Sequence, residues 1–170
     1  MYSALVLVQH GSNGAPSSEA IVRTLSALVP AAIEGVVRDV ALATSNASDD
    51  LSRIADHAGC EYVTAPEGDL VSASLAALKE PRILVVRAGR IPEHGFTGEL
   101  ADFASWRGQS CGLLLEAPNS LLTRVLPRFS RAAAVVAPRI AIKSARPDIG
   151  AMASSVPSPI IFKSRAMGED

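Results

Sequence analysis

The 170 residues suffice for one compact domain with a real core and are too few for two ordinary ones. Sixteen Lys and Arg against 17 Asp and Glu leave a net charge of -1, which excludes a broad basic footprint for nucleic acid or an anionic membrane surface. Hydrophobic residues reach 48% and aromatics only 4%, a balance suited to Ala-, Val- and Leu-rich helices layered on a buried sheet and not to base-stacking platforms.

Residues 4–8, "ALVLV", read as a short buried strand that ends at Gln9-His10 and opens into Gly11-Ser12-Asn13-Gly14. A helix follows: Ser17 or Ser18 caps it, Glu19 suits its first turn, Ile21, Leu25 and Leu28 share one face, and Pro30 is expected to end it. Residues 36–43 give the second strand. Ser48-Asp49-Asp50 then opens a helix with a capping hydroxyl and two carboxylates at its positive end, and Leu51, Ile54, Ala55 and Ala58 keep the period until Gly59 stops it. Residues 60–64 form a third strand, and Asp69 caps a helix lined by Val71, Leu75 and Leu78.

After Pro81, "RILVV" is the plainest strand of the chain, and "RAGRIPEHG" reads as the loop that follows it. Phe96, Leu100, Phe103 and Trp106 recur at helical spacing, residues 110–115 make another strand, and Asn119 caps a helix interrupted by Pro127. From Ala145 onward Ser, Pro and small residues dominate, and only "PIIF" resembles a strand. Residues 1–144 are therefore expected to form the α/β domain, and residues 145–170 an extended arm or partly disordered tail.

Strands alternating with helices predict a three-layer α/β/α sandwich with a mainly parallel sheet and right-handed crossovers. Ligands gather at the carboxyl ends of such strands, here residues 10–14, 44–49, 65–69 and 87–95, all expected on one rim. Cys60 and Cys111 lack metal-ligand spacing and read as small buried hydrophobes. No leader pattern and no apolar run near the ~20 residues of a membrane span is visible, so a cytoplasmic protein without a transmembrane segment is expected.

Two stretches, "AIVRTLSALVPAAIEGVVRDVALATSNASDDLSRIADHAGCEYVTAP" and "VSASLAALKEPRILVVRAGRIPEHGFTGELADF", resemble the family 2 glycosyltransferases of the GT-A type, which use nucleotide-diphospho-sugars. The likeness covers roughly Ala4 to Phe103 and continues more loosely through "SLLTRVLPRFSRAAAVVAPRIAIKSA". It implies a GT-A-like fold and a nucleotide-sugar donor, with the nucleoside held by the first loop (Gln9, His10, Gly11, Ser12) and by Thr44-Ser45 after the second strand. The family's first aspartate falls on Thr44, whose hydroxyl can hydrogen-bond but carries no charge. Asp49 matches the second aspartate, and its place at a helix N-terminus gives it a structural reading as well.

The family's acidic DxD-type motif holds a divalent cation against the diphosphate, since Mg²⁺ and Mn²⁺ prefer oxygen ligands. It falls on Ala88, Gly89 and Arg90, so no bound metal is expected. Either Arg87 and Arg90 neutralise the diphosphate leaving group directly, or they are solvated arginines at a strand end and the chemistry is lost. A later carboxylate serves the family as base toward the acceptor hydroxyl. Glu116 is its nearest positional counterpart, and a rim glutamate is also often merely solvated.

Two further readings stand beside this one. A non-catalytic interaction or assembly module on the same fold, self-associating into a homo-oligomer, agrees with a mean hydropathy of +0.26. The phrase "LVLVQHGS" also resembles the start of small tetrapyrrole chelatases of the sirohydrochlorin type, which implies a metal ion placed by His10. His94, in a loop, could reach the same rim, whereas His57 reads as helix surface. The glycines of "HGSNG" could bring backbone amides to a phosphate, without the spacing of a Walker loop or a dinucleotide fingerprint.

Overall fold

A computed structural model of the chain describes residues 1–9, 14–106, 110–118, 123, 130–142 and 147–168. Its strands are β1 (Tyr2–Val8), β2 (Val37–Thr44), β3 (Glu61–Thr64), β4 (Arg82–Arg87), β5 (Arg90–Pro92), β6 (Gly112–Glu116), β7 (Ala132–Pro138) and β8 (Ile160–Gly168). Among the described residues the helices are α1 (Ser18–Ile33), α2 (Asp49–Ala58), α3 (Leu70–Ala77), α4 (Phe96–Trp106) and α5 (Ile149–Ser155). Of the expected helix after Asn119 only Thr123, which is helical, is described; Asn119 and Pro127 lie outside the described residues.

Among the described residues eight strands join one sheet in the order β3-β2-β1-β4-β7-β6-β8-β5. The pairs β3/β2, β2/β1, β1/β4 and β6/β8 are parallel, and β4/β7, β7/β6 and β8/β5 are antiparallel. Six strands thus share one direction and β5 and β7 oppose them, so the sheet is mixed where a mainly parallel one was expected. The two reversed strands are those that the sequence pattern does not announce. β7 is a wholly apolar run that starts with three alanines and buries almost every residue, and β5 has three residues, the last a proline.

Alternation along the strands divides the core between two faces. Ala4, Val6 and Val8 of β1 pack with Ile21, Leu25 and Leu28 of α1, Leu51 and Ala55 of α2, and Phe96, Leu100 and Phe103 of α4. Leu5 and Leu7 point the other way, towards Leu70 and Val71 of α3 and Ile149 and Met152 of α5. Helices on both faces of the sheet give the three layers.

Ser17 caps α1 by accepting the N–H of Ala20 at 3.1 Å. Pro30 does not end this helix, which runs on to Ile33. The i−4 carbonyl that loses its donor belongs to Ser26, an exposed residue, so water can take that bond. Gly59, at φ +66°, closes α2 in the left-handed conformation expected of a helix stop.

The stretch expected as an arm supplies α5 and β8, and β8 pairs with β6 on one side and β5 on the other. Its Phe162 is buried edge-on to Phe96 at 5.5 Å and Phe103 at 5.1 Å between ring centroids. Ile160, Phe162, Ser164 and Ala166 turn inward at period two, a strand pattern diluted by the serine and the alanine.

Candidate functional site

The six co-directional strands bring their carboxyl ends to one edge. Register places Thr64 beside Thr44, Thr44 beside Val8, Arg87 beside Leu7, and Glu116 beside Ala166. This rim carries most of the residues singled out from the sequence.

Arg87 and Arg90 flank a tight turn whose geometry is over-determined. Ala88 is buried and donates its N–H to the carbonyl of Leu7. Gly89 adopts φ +80°, and a Cβ there would come within 3.2 Å of Pro16 Cβ. The Gly89 N–H is donated to Thr24 Oγ1 at 3.0 Å. Two guanidiniums are thereby held on either side of one fixed turn.

Both converge on a single carboxylate oxygen, Glu116 Oε1, from Arg87 Nη1 at 3.3 Å and from Arg90 Nε at 2.8 Å. The three side chains are 18%, 24% and 14% exposed for Arg87, Arg90 and Glu116, so the contact is largely shielded from water. Burial pulls the Arg87 guanidinium below its ordinary value; Glu116 opposes that, Arg90 adds to it, and Asp148 and Arg131 exert further charge effects. Among the described residues, the ion pairs set two guanidiniums against one carboxylate, which leaves the contact with excess positive charge. Arg87 Nε is buried with no hydrogen-bond partner among the described residues. Arg90 lies against Gly168, where a Cβ would approach its Nη1 to 2.6 Å.

The remaining candidates are placed as follows. Gln9 Nε2 donates to the carbonyl of Pro147, tying the end of β1 to the segment that leads into α5. Thr44 is fully buried, and its hydroxyl exchanges hydrogen bonds at 3.2 Å with the backbone of Asn46, so the exposed polar groups after β2 are those of Asn46 to Asp50. Asp49 is the exposed first residue of α2. Ser48, the N-cap, makes no side-chain cap bond; its backbone N–H and carbonyl both bond the Tyr62 hydroxyl. His10 lies outside the described residues, and His94 is exposed.

Asp148 and Arg131 were not singled out from the sequence. Asp148 caps α5 through the Gly150 N–H at 2.7 Å, a capping pattern legible once a helix is placed there. Arg131, whose carbonyl accepts the Glu116 N–H at 2.8 Å, carries no local signal.

Of the two cysteines, both unpaired, Cys111 is buried as expected and Cys60 is only partly so; burial pushes both thiols up. Cys60 lines a cleft of about 430 Å³ on the outer face between α1 and α2, with Val22, Val29, Ile54 and His57. None of the rim residues contributes to that cleft.

Among the described residues no group of three or more His, Cys, Asp or Glu side chains could hold a metal ion. The turn after β4 offers Ala88, Gly89 and Arg90, and the nearby carboxylate of Glu116 is already shared by two cations. This donor set does not fit a divalent cation.

The fold is similar to that of solved glycosyltransferases of the GT-A type, with the antiparallel pairings described above. Structures of glucosyl-3-phosphoglycerate synthase from Mycobacterium tuberculosis carry this likeness. The complex with phosphoglyceric acid matches with a TM-score of 0.67 and 13% identity over 99% of this chain and 72% of that one. The complex with Mn²⁺, uridine diphosphate and glucosyl-3-phosphoglycerate matches with a TM-score of 0.59 and 17% identity over 83% of this chain. A third, with Mn²⁺, UDP-glucose and phosphoglyceric acid, gives 0.59 and 16%. The chain spans 58% of the length of each of the last two. No family profile and no curated protein matches the chain. Among the described residues no helix is long and apolar enough to cross a membrane.

Proposed function

We propose that the protein binds a nucleotide-diphospho-sugar at the carboxyl-terminal rim and transfers the sugar to an acceptor hydroxyl without a bound metal. The observation that carries this reading is the convergence of Arg87 and Arg90 on Glu116 at that rim. Similarly folded enzymes bound to UDP-glucose and Mn²⁺ support the choice of donor. A cation's work on a diphosphate is to neutralise the leaving charge, and paired guanidiniums can do this through bidentate hydrogen bonds.

In this reading Gln9, His10, Thr44 and Asp49 belong to the nucleoside end, with Thr44 acting through the loop it pins. Arg87 and Arg90 take the diphosphate. Glu116 accepts the proton of the acceptor hydroxyl as that oxygen bonds the anomeric carbon and the sugar–phosphate bond breaks, the electron pair of the broken bond leaving with the diphosphate. A cytoplasmic setting belongs to the same proposal and agrees with two unpaired cysteines.

Calorimetry and amide-shift titration with UDP- and GDP-sugars in the presence of a chelator test it. Binding that disappears in the double variant Arg87→Ala, Arg90→Ala supports the reading. Silence across the panel overturns it.

A second reading, a self-associating module without catalysis, is favoured by the apolar cleft between α1 and α2 and by the exposed Val22, Val29 and Ile33 along α1. A concentration-independent monomer in sedimentation would exclude it.

A further inference from the structure

We propose that the Glu116 carboxylate holds the place of a substrate phosphate: it neutralises Arg87 and Arg90 in the ligand-free protein and leaves them, free to act as a base, when a phosphate oxygen replaces it. The inference rests on the reading of the rim as a diphosphate site and adds how that site is kept and released.

The backbone around the cluster is fixed on every side. Glu116 donates its N–H to Arg131, sits beside Ala166 of β8, and is followed by Ala117, whose N–H also bonds Ala166. Arg87 is held by pairing with β1, and Arg90 by pairing with Gly168. The backbone origins of all three side chains are therefore fixed, so exchange of the anion between the two guanidiniums needs only side-chain rotation and no movement of the sheet.

One carboxylate matches the pair poorly. Both ion pairs use the same oxygen, two guanidiniums face one carboxylate, and Arg87 Nε has no partner among the described residues. A phosphate presents more oxygens and, as a dianion, more charge, so it uses donor capacity that Glu116 leaves idle. Removing the glutamate without a replacement would leave two half-buried cations facing each other, which is unfavourable. Exchange is thus favoured only when the anion arrives, and the base is released only in the presence of the group that is to leave. Donor binding precedes acceptor activation by construction.

The probe is inorganic pyrophosphate in chelator, titrated into the full chain. Glu116→Gln, which keeps the shape and removes the competing charge, should bind it about tenfold tighter than the wild type, a factor equal to about 1.4 kcal/mol. In wild-type protein, where no variant has to fold, the Glu116 carboxyl carbon and the Arg87 and Arg90 side-chain N–H resonances should shift together on saturation. Equal or weaker binding by Glu116→Gln, or saturation with an unmoved Glu116 signal, would show that the glutamate only positions the arginines and overturns the proposal. Unchanged binding after Arg87→Ala, Arg90→Ala, or no pyrophosphate binding at all, also overturns it. Pyrophosphate exchange with silence toward every nucleotide-sugar sustains this inference and removes the donor reading alone.

Discussion

Thr24 and Gly89, 65 residues apart, meet through a buried hydrogen bond in which the Gly89 N–H is donated to the Thr24 hydroxyl at 3.0 Å. The same hydroxyl donates to the carbonyl of Ala20 at 3.0 Å, so α1 clamps the turn that spaces the two arginines. Thr24→Val keeps the volume and strands the glycine N–H. A loss of about 1–3 kcal/mol in denaturant unfolding is expected, with weaker pyrophosphate binding at temperatures where the variant remains folded.

The Tyr2 hydroxyl is buried without a partner among the described residues, and burial pushes its ionisation up to about 12 from an ordinary 10.0, with the Arg82 charge pulling the other way. A raised value means that the stability tied to the neutral phenol is fully present below the ordinary value. It is lost as the pH climbs from about 10 towards about 12. Tyr2→Phe should abolish that component of alkaline unfolding and, by removing an unsatisfied buried hydroxyl, raise stability at neutral pH by about 1 kcal/mol. Melting curves across alkaline pH check both.

Gly112 lies under the aromatic cluster: a Cβ there would sit 2.7 Å from Phe162 Cε2 and Cζ and 3.3 Å from Phe103 Cζ. Gly112→Ala is expected to destabilise by about 1–3 kcal/mol through overpacking. Combining it with Phe162→Leu should cost less than the sum of the single changes, as a double-mutant cycle on thermal unfolding would show.

Glu99 of α4 accepts the backbone N–H groups of Lys163 at 2.6 Å and Ser164 at 3.0 Å, stitching the helix to β8. Burial alone would push its carboxyl up. These two N–H donors, helped by the Ser164 hydroxyl and the Lys163 charge, outweigh that and hold it below its ordinary value. The stabilisation is therefore present at neutral pH and lost as the pH falls below the ordinary carboxylate range. Glu99→Gln should cost about 1 kcal/mol at neutral pH, discounted for partial exposure, and flatten the acid limb of the stability curve.

Much of the fold was legible from local pattern. The runs at residues 4–8 and "RILVV", and the apolar faces of Ile21-Leu25-Leu28 and Phe96-Leu100-Phe103, settle as strands and helices close to where periodicity puts them. What escaped has physical reasons. A buried strand that opens with three alanines lacks the β-branched run that marks β1 and β4, which hid β7; a three-residue strand exists only by pairing, which hid β5. At the rim, Arg87 and Arg90 were visible as cations after a strand and Glu116 as a carboxylate after another. Their meeting across 29 and 26 residues is a product of sheet order and not of spacing. Thr44 looked available because its type can hydrogen-bond; only the turn at Asn46 reveals that its hydroxyl is spent locally.

The seat of β8 between β6 and β5 bears on folding order. Arg87 belongs to a strand flanked by β1 and β7, whereas β5, which bears Arg90, joins the sheet only through β8. A refolding chain can bury its central strands and dock α1 while Arg90 still lacks its frame, and the cation pair is completed only when residues 160–168 zip into place. Recovery of anion affinity should accordingly lag behind recovery of secondary structure, making ligand competence the last property the chain regains.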